Sequence, residues 1–185
     1  WKYANSVSII VLQWLHVRST GALLPGQGFT MKGPGSPMPE QNYVFSGKPY
    51  NGDITIPIAA NNDYLVGNPY ASAIDADEFI KDNISTLETN GRNTNGNVIN
   101  GVLYFWDHFA SGSHALAEYE GGYATYTLMG GAVAISNNKK LNATGKSGVK
   151  APGRYVPVSQ GFFISTSLDL GVNNGDLNLD LNTPG

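Results

Sequence analysis

The chain has no cysteine. Disulfides, thiolate nucleophiles and cysteine-ligated metal sites are thereby excluded, and the redox compartment is left open. Charge is also scarce: Asp, Glu, Lys and Arg make up 14% of the 185 residues, with a net charge of −3. No basic cluster is denser than Lys139-Lys140, so the electrostatic footprint of a nucleic-acid binder is missing. Long apolar runs are missing too. Val7 to Leu12 is apolar, but Gln13 and His16 interrupt it, and it is too short to span a bilayer. No small-residue cleavage site follows it, so it reads as a buried strand rather than a signal peptide. Walker and dinucleotide glycine patterns are absent. The chain opens on Trp1 rather than methionine. With a core-like strand so near its start, the natural chain is expected to extend further upstream.

Turn chemistry is what the sequence has in excess. There are 23 glycines and 19 asparagines, beside ten tyrosines, seven phenylalanines and three tryptophans. Glycine and asparagine accept the backbone angles of tight turns, and aromatics suit half-buried sheet faces. The length is that of one domain. The composition predicts an all-β fold: an antiparallel β-sandwich, jelly-roll-like, with one short helix near residues 74–82. Residues 1–165 are expected to form the module, and 166–185 a terminal hairpin or linker. An asparagine-rich, lysine-poor surface is compatible with secretion.

The chain is organised around Tyr64-Leu-Val-Gly-Asn-Pro-Tyr-Ala-Ser-Ala-Ile-Asp-Ala-Asp-Glu-Phe79. A strand from Tyr64 to Val66 meets a corner at Gly67-Asn68-Pro69. Gly67 is expected to supply an angle closed to other residues. Asn68 bonds back to the chain, and Pro69 forces Asn68 out of helical backbone. Ile74, Phe79 and Ile80 then suit a short helix, with Ser72 or Asp75 as N-cap and acidic residues in its first turn. Upstream, residues 6–17 predict a central strand or a bent pair of strands, and 33–41 a loop rich in proline and glycine. Asn51-Gly52 predicts a hairpin turn into the alternating Ile54, Ile56 and Ile58, with Pro57 marking an edge. Downstream, residues 86–100 read as a surface loop, 101–107 as the most aromatic strand, 121–131 as a strand between glycine pairs and 137–149 as a loop. Val102, Tyr104 and Trp106 share one face of the aromatic strand; Leu103, Phe105 and Asp107 share the other. Gly26-Gln-Gly-Phe29 matches Ser159-Gln-Gly-Phe162. The match predicts two equivalent strands, each entered by a bend and each sending its phenylalanine into the core. The leucines from Leu168 to Leu181 predict a last hairpin around Asn174-Gly175.

Several groups have chemistry to offer. Asp75, Asp77 and Glu78, with Asn68 as a further oxygen, supply hard ligands, so calcium is the one cofactor to consider. Their spacing is not that of a helical-hand calcium loop, and acidic residues at a helix start need no ion. Asp169 to Asp180 is a second, sparser oxygen-rich tract. Asp107-His108 with His114 suggests acid–base or metal chemistry on a loop, but Ser111 and Ser113 lack the nucleophile elbow, and no orienting third group can be placed. Glu118 and Glu120, two apart on a strand, are expected to share a solvated face rather than form a glycosidase pair. No catalytic residue is assigned. Tyr104, Trp106, Tyr123 and Tyr126 are the ligand or interface candidates. Flat rings stack on the apolar faces of sugars, with Asn and Asp taking the hydroxyls. The same rings can instead fill a core, or a contact with the next domain or subunit.

The blocks Gly28-Phe-Thr-Met-Lys-Gly33, Gly47-Lys-Pro-Tyr-Asn-Gly52, Leu65-Val-Gly-Asn-Pro-Tyr-Ala-Ser-Ala-Ile-Asp75, Leu103-Tyr-Phe-Trp-Asp107, Gly121-Gly-Tyr-Ala-Thr-Tyr126 and Tyr155-Val-Pro-Val-Ser-Gln-Gly-Phe-Phe163 follow one another over roughly residues 24–165. In this combination and order the chain resembles a module of large secreted and cell-surface proteins of the Bacteroidetes, often found just upstream of a type IX secretion sorting domain. Members commonly carry Pro in place of Ala71 and Gly in place of Ser159; both departures suit a turn. The sorting domain itself is not evident here. The resemblance implies export and an extracellular place at the cell surface or in a surface polymer, and it does not imply an enzyme. The expected role is a non-catalytic structural or adhesive module of a surface protein or filament, with neighbouring domains or subunits as partners. A carbohydrate-binding module of a secreted hydrolase, with polysaccharide as partner, is the alternative.

Overall fold

The computed structural model describes residues 2–3, 14–16, 18, 20–31, 42–109, 120–166 and 176–178. Strands β1 (Lys2–Tyr3) and β2 (Trp14–Leu15) form a small antiparallel ladder near the N-terminus. After them come β3 (Thr55–Pro57), β4 (Asp63–Gly67), β5 (Ile74–Asp75), helix α1 (Ala76–Asn83) and β6 (Ile99–His108). The chain continues through β7 (Gly121–Thr127), β8 (Gly130–Ile135), β9 (Tyr155–Val156), β10 (Gly161–Thr166) and β11 (Asp176–Asn178).

The main sheet has the order β4-β10-β6-β7-β8, and every pairing in it is antiparallel. The late strand β10 is inserted between β4 and β6, so that Phe163 lies beside both Leu65 and Tyr104. Over one face lie α1 and the two-stranded ladders β3–β11 and β5–β9. Ile58 just beyond β3, Ile74 and Val156 of the β5–β9 ladder, and Phe79 and Ile80 of the helix join Tyr64, Val66, Leu103, Tyr126, Phe162 and Ile164 of the sheet in one apolar cluster, with Ile56 of β3 packed against it. This is the predicted antiparallel sandwich, with unequal and unclosed layers. Phe162 is at its centre, 5.6 Å from Phe79 edge-to-face and 5.7 Å from Phe105.

The helix starts where local chemistry allows. Asp75 is extended, and its Oδ1 accepts from the backbone N–H of Asp77 (3.0 Å) and Glu78 (3.4 Å), satisfying two donors that a helix start leaves open. The two residues before the helix are themselves strand β5. The corner ahead of it is held by Asn68, which is buried. Its Oδ1 accepts from Tyr70 N (3.0 Å), while Nδ2 donates to the carbonyls of Ser72 (2.8 Å), Val156 (3.2 Å) and Pro157 (3.1 Å). One side chain thus ties the β4 exit to β9, 88 residues on.

Gly67 does not take the left-handed angle expected of it. That angle occurs in the two matching segments on either side of β4. Gln27 N donates to Leu24 O (3.0 Å) and Gln160 N to Pro157 O (3.2 Å), closing two turns whose third residues are Gly26 at φ 76° and Ser159 at φ 62°. A positive φ at that position alone is the mark of a type II turn. Beyond the turns, Gly28 N donates to Leu65 O and Gly67 N to Gly26 O, both at 3.0 Å, on the edge of β4 away from β10. The two copies therefore do border one strand. Gly28 is required by this approach, because a Cβ there would come within 2.9 Å of the Leu65 carbonyl carbon. The copies differ in their phenylalanines: Phe162 is buried as expected, whereas Phe29 is exposed.

Ser159 bears a left-handed strain of about 1–2 kcal/mol that Gly26 does not. Ser159→Gly should raise stability by about 0.5–1 kcal/mol, the relief exceeding the backbone entropy that glycine adds, and Gly26→Ala should lower it by about 1–2 kcal/mol. Urea unfolding followed by tryptophan fluorescence reads both. A stabilising Gly26→Ala would contradict the assigned turn.

Three other expectations change. Asn51-Gly52 is a bend, not a hairpin, and β3 pairs with β11 instead of an upstream strand. That pairing joins residues 176–178 to β3. Residues 86–100 are not simply a loop. Ile99 and Asn100 already belong to β6, and the stretch before them is drawn onto the helix end by Asn93 N to Ile84 O and Val98 N to Asn83 O, both at 2.9 Å. The 121–131 strand is two, turning at Leu128-Met129. The loop expected at residues 33–41, most of the strand expected at 6–17 and the hairpin expected around Asn174-Gly175 lie outside the described residues.

Candidate functional site

Strand alternation gives the main sheet a second face, away from the core. In β6, Leu103 is fully buried, so Tyr104 and Trp106 point the other way. In β7, Ala124 and Tyr126 face the core, which turns Tyr123 outward; in β10, Phe162 and Ile164 face the core, which turns Phe163 and Ser165 outward. Register sets Trp106 beside Tyr123, and Phe163 beside Tyr104. The rings meet edge-to-face: Trp106 and Tyr123 at 5.1 Å and 69°, Tyr123 and Phe163 at 5.7 Å and 87°. Trp106 is 40% exposed and Tyr123 36%. Polar groups flank the rings. Ser165 Oγ donates to the exposed Asp63 carboxylate on β4, and Asn100 Nδ2 donates to the Tyr104 hydroxyl at 3.0 Å. Partial burial, then the Asp63 charge, pushes the Tyr123 phenol above its ordinary pKa.

Three of the four expected aromatics are thus brought together, and the fourth is not. Tyr126 lies on the opposite face, buried, where its hydroxyl donates to Asp77 Oδ1 at 2.8 Å. Burial, then the bond to Asp77, pushes its pKa up to about 12. Parity alone separates Tyr123 from Tyr126, since residues three apart on one strand face opposite ways. Phe163, Asp63 and Ser165 were not anticipated. The doublet Phe162-Phe163 carried the signal, because only one of two neighbours on a strand can face the core.

The three carboxylates considered for calcium do not converge. Arg154 Nε bonds both Asp75 oxygens at 2.9 Å, its Nη2 reaches Asp75 Oδ2 at 2.7 Å, and Nε lies 3.5 Å from Asp77 Oδ2. Glu78 turns instead to Lys81 Nζ (2.8 Å) and Arg92 Nη2 (2.5 Å), with Arg92 also 3.1 Å from Asp82. Asn68 is spent on the corner. Among the described residues no group of three or more His, Asp or Glu is placed to hold a metal ion. The charges a cation would supply come from the chain itself. Of the sparser tract, only Asp176 is described, in β11.

Burial pushes the Asp75 carboxyl up, but the Arg154 hydrogen bond, the Glu78 N–H, the Arg154 charge and the Asp77 N–H outweigh it, and the net shift is downward. A depressed carboxylate contributes stability that is present above its unfolded pKa and lost as pH falls through its folded one. Arg154→Met should therefore lower the melting temperature at pH 7, and the gap from the parent should close on acidification below about pH 4. Differential scanning calorimetry across that range checks it; a gap that does not depend on pH would show that lost packing, not the ion pair, is responsible.

Asp107 and His108 are adjacent in β6, so their side chains leave on opposite faces and do not act on one point. His114, Ser111, Ser113 and Glu118 lie outside the described residues. Glu120 is not on a solvated face. It is buried, it accepts from the Thr144 hydroxyl, and it pairs with Lys146 Nζ at 3.1 Å; those two bonds hold its pKa below the usual value. A second surface feature is an open groove of about 1120 Å³ beside the β4 corner, bordered by Leu24, Phe29, Met31, Tyr43, Phe45 and Tyr50.

No curated protein and no solved structure matches this chain. A family model does, over residues 1–178, a span that takes in every strand from β1 to β11 and both faces of the main sheet. The chain belongs to that family, a domain of unknown function designated DUF8693.

Proposed function

We propose that this is a non-catalytic, extracellular structural or adhesive module of a surface protein or filament, which recognises other molecules across the outer face of its main sheet. One observation carries this reading: Trp106 and Tyr123 are presented, with Phe163 and Tyr104, on the face of the sheet opposite the core, at 40% and 36% exposure. Exposed clusters of large aromatics mark interaction surfaces in soluble folds. The extracellular setting is proposed on the resemblance of the blocks over roughly residues 24–165 to a module of secreted and cell-surface proteins of the Bacteroidetes. Among the described residues no helix is long and apolar enough to cross a membrane. Neighbouring domains or subunits are the natural partners.

Sedimentation velocity and electron microscopy of the purified chain, with surface labelling of the native host, test the reading. Surface exposure with end-to-end assembly, or with attachment to a surface component, is expected. A substrate turned over by the chain, with that turnover lost after Asp107→Asn or His108→Ala, would overturn it.

A further inference from the structure

We infer that the outer face of the main sheet is a saccharide-binding platform, with Trp106, Tyr123 and Phe163 as its stacking rings and the Asp63–Ser165 pair as a hydrogen-bonding flank. This rests on the reading of the module as a recognition unit, and names the ligand class of that face.

The arrangement follows from register. Phe163 and Ser165 are two apart on β10 and share the outer side, and Ser165 lies opposite Asp63 on β4. Trp106 and Tyr123 are partners across β6 and β7, and Tyr123 reaches Phe163. From β4 to β7 the face spans three strand spacings, roughly 14 Å, enough for a short run of sugar rings. A saccharide offers what this surface lacks: apolar C–H faces for the rings, and hydroxyls that can donate to a carboxylate. No salt bridge among the described residues engages Asp63, and Ser165 is the side-chain donor that meets it. The Tyr104 hydroxyl and the Asn100 amide add a second polar flank. A peptide strand would need a free sheet edge, whereas this is a face, and β10, β6 and β7 each already have a neighbour on both sides.

The test is affinity electrophoresis of the full chain through gels containing, in turn, a soluble β-glucan, a xylan, a mannan and a polygalacturonate, with sedimentation velocity alongside. At least one neutral polysaccharide should retard the chain. Trp106→Ala and Tyr123→Ala should each weaken retardation roughly tenfold, and Asp63→Asn by several-fold. Trp106→Phe should keep part of the binding, and Leu87→Ala, at a remote exposed site, all of it. Melting temperatures of the variants are measured to confirm folding. If no polysaccharide retards the chain, or retardation ignores Trp106 and Tyr123, the inference is overturned. If in that case Trp106→Ala abolishes self-association, the proposed function stands with a second copy as the partner. If neither binding nor assembly depends on this face, both fail.

Discussion

Asn68→Ala should cost about 3–5 kcal/mol, among the largest losses available to a single polar side chain here. The reason is arithmetic of donors. Asn68 Nδ2 has two hydrogens, shared among the carbonyls of Ser72, Val156 and Pro157, and its Oδ1 takes the Tyr70 N–H. Truncation leaves these backbone groups in a buried place that Asn68 filled, at about 1–3 kcal/mol for each one left unsatisfied. The change should appear as a lowered urea midpoint with an unchanged slope. Asn68→Asp separates shape from hydrogen bonding. It keeps the acceptor for Tyr70 but turns a charged oxygen toward three carbonyls, so it should be nearly as damaging at pH 7. Its deficit should shrink on acidification, since a protonated carboxyl can donate once more. A neutral Asn68→Asp at pH 7 would show that the amide donor matters little.

Phe162→Ala should cost about 3–5 kcal/mol, while Phe29→Ala should change stability by less than about 1 kcal/mol. These are the same position in the two matching segments. Phe162 is buried, with Phe79 and Phe105 rings at 5.6 and 5.7 Å, so truncation opens a cavity among atoms that cannot close on it. Phe29 is 38% exposed on the rim of the groove. Paired denaturation curves decide it. Equal losses would mean that Phe29 is also a core residue, and that the two segments are equivalent in depth as well as in sequence.

The contrast shows how far sequence reaches in this protein. Features built from bonds between near neighbours were legible. A capped helix start, narrowed to Ser72 or Asp75, the Asn68 bond back to the chain, and the edge position of Pro57 each follow from one side chain and the few residues around it. The helix was expected at 74–82 and runs from 76 to 83. Its start moves because Ile74 and Asp75 are taken up by pairing with Val156 and Tyr155, which no local rule announces. Asn51-Gly52 failed for the same reason: the turn signal was sound, but the strand beside it had a distant partner in β11. The candidate site was half legible. Alternation put Tyr104 with Trp106, but nothing in that strand said which of its two apolar faces would meet the helix.

By itself the sequence determined the class of the fold, the cap and corner before α1, and the two-sided character of each strand, because these depend on backbone angles and on bonds spanning a few residues. The tertiary structure alone decided that β10 enters between β4 and β6, that Tyr126 goes inward while Tyr123 goes outward, and that Arg154 holds the two aspartates at the helix start. Those outcomes depend on contacts between residues far apart in the chain, such as Asp63 with Ser165, 102 apart, where many pairings satisfy the same local pattern and only the packing of the whole core selects one.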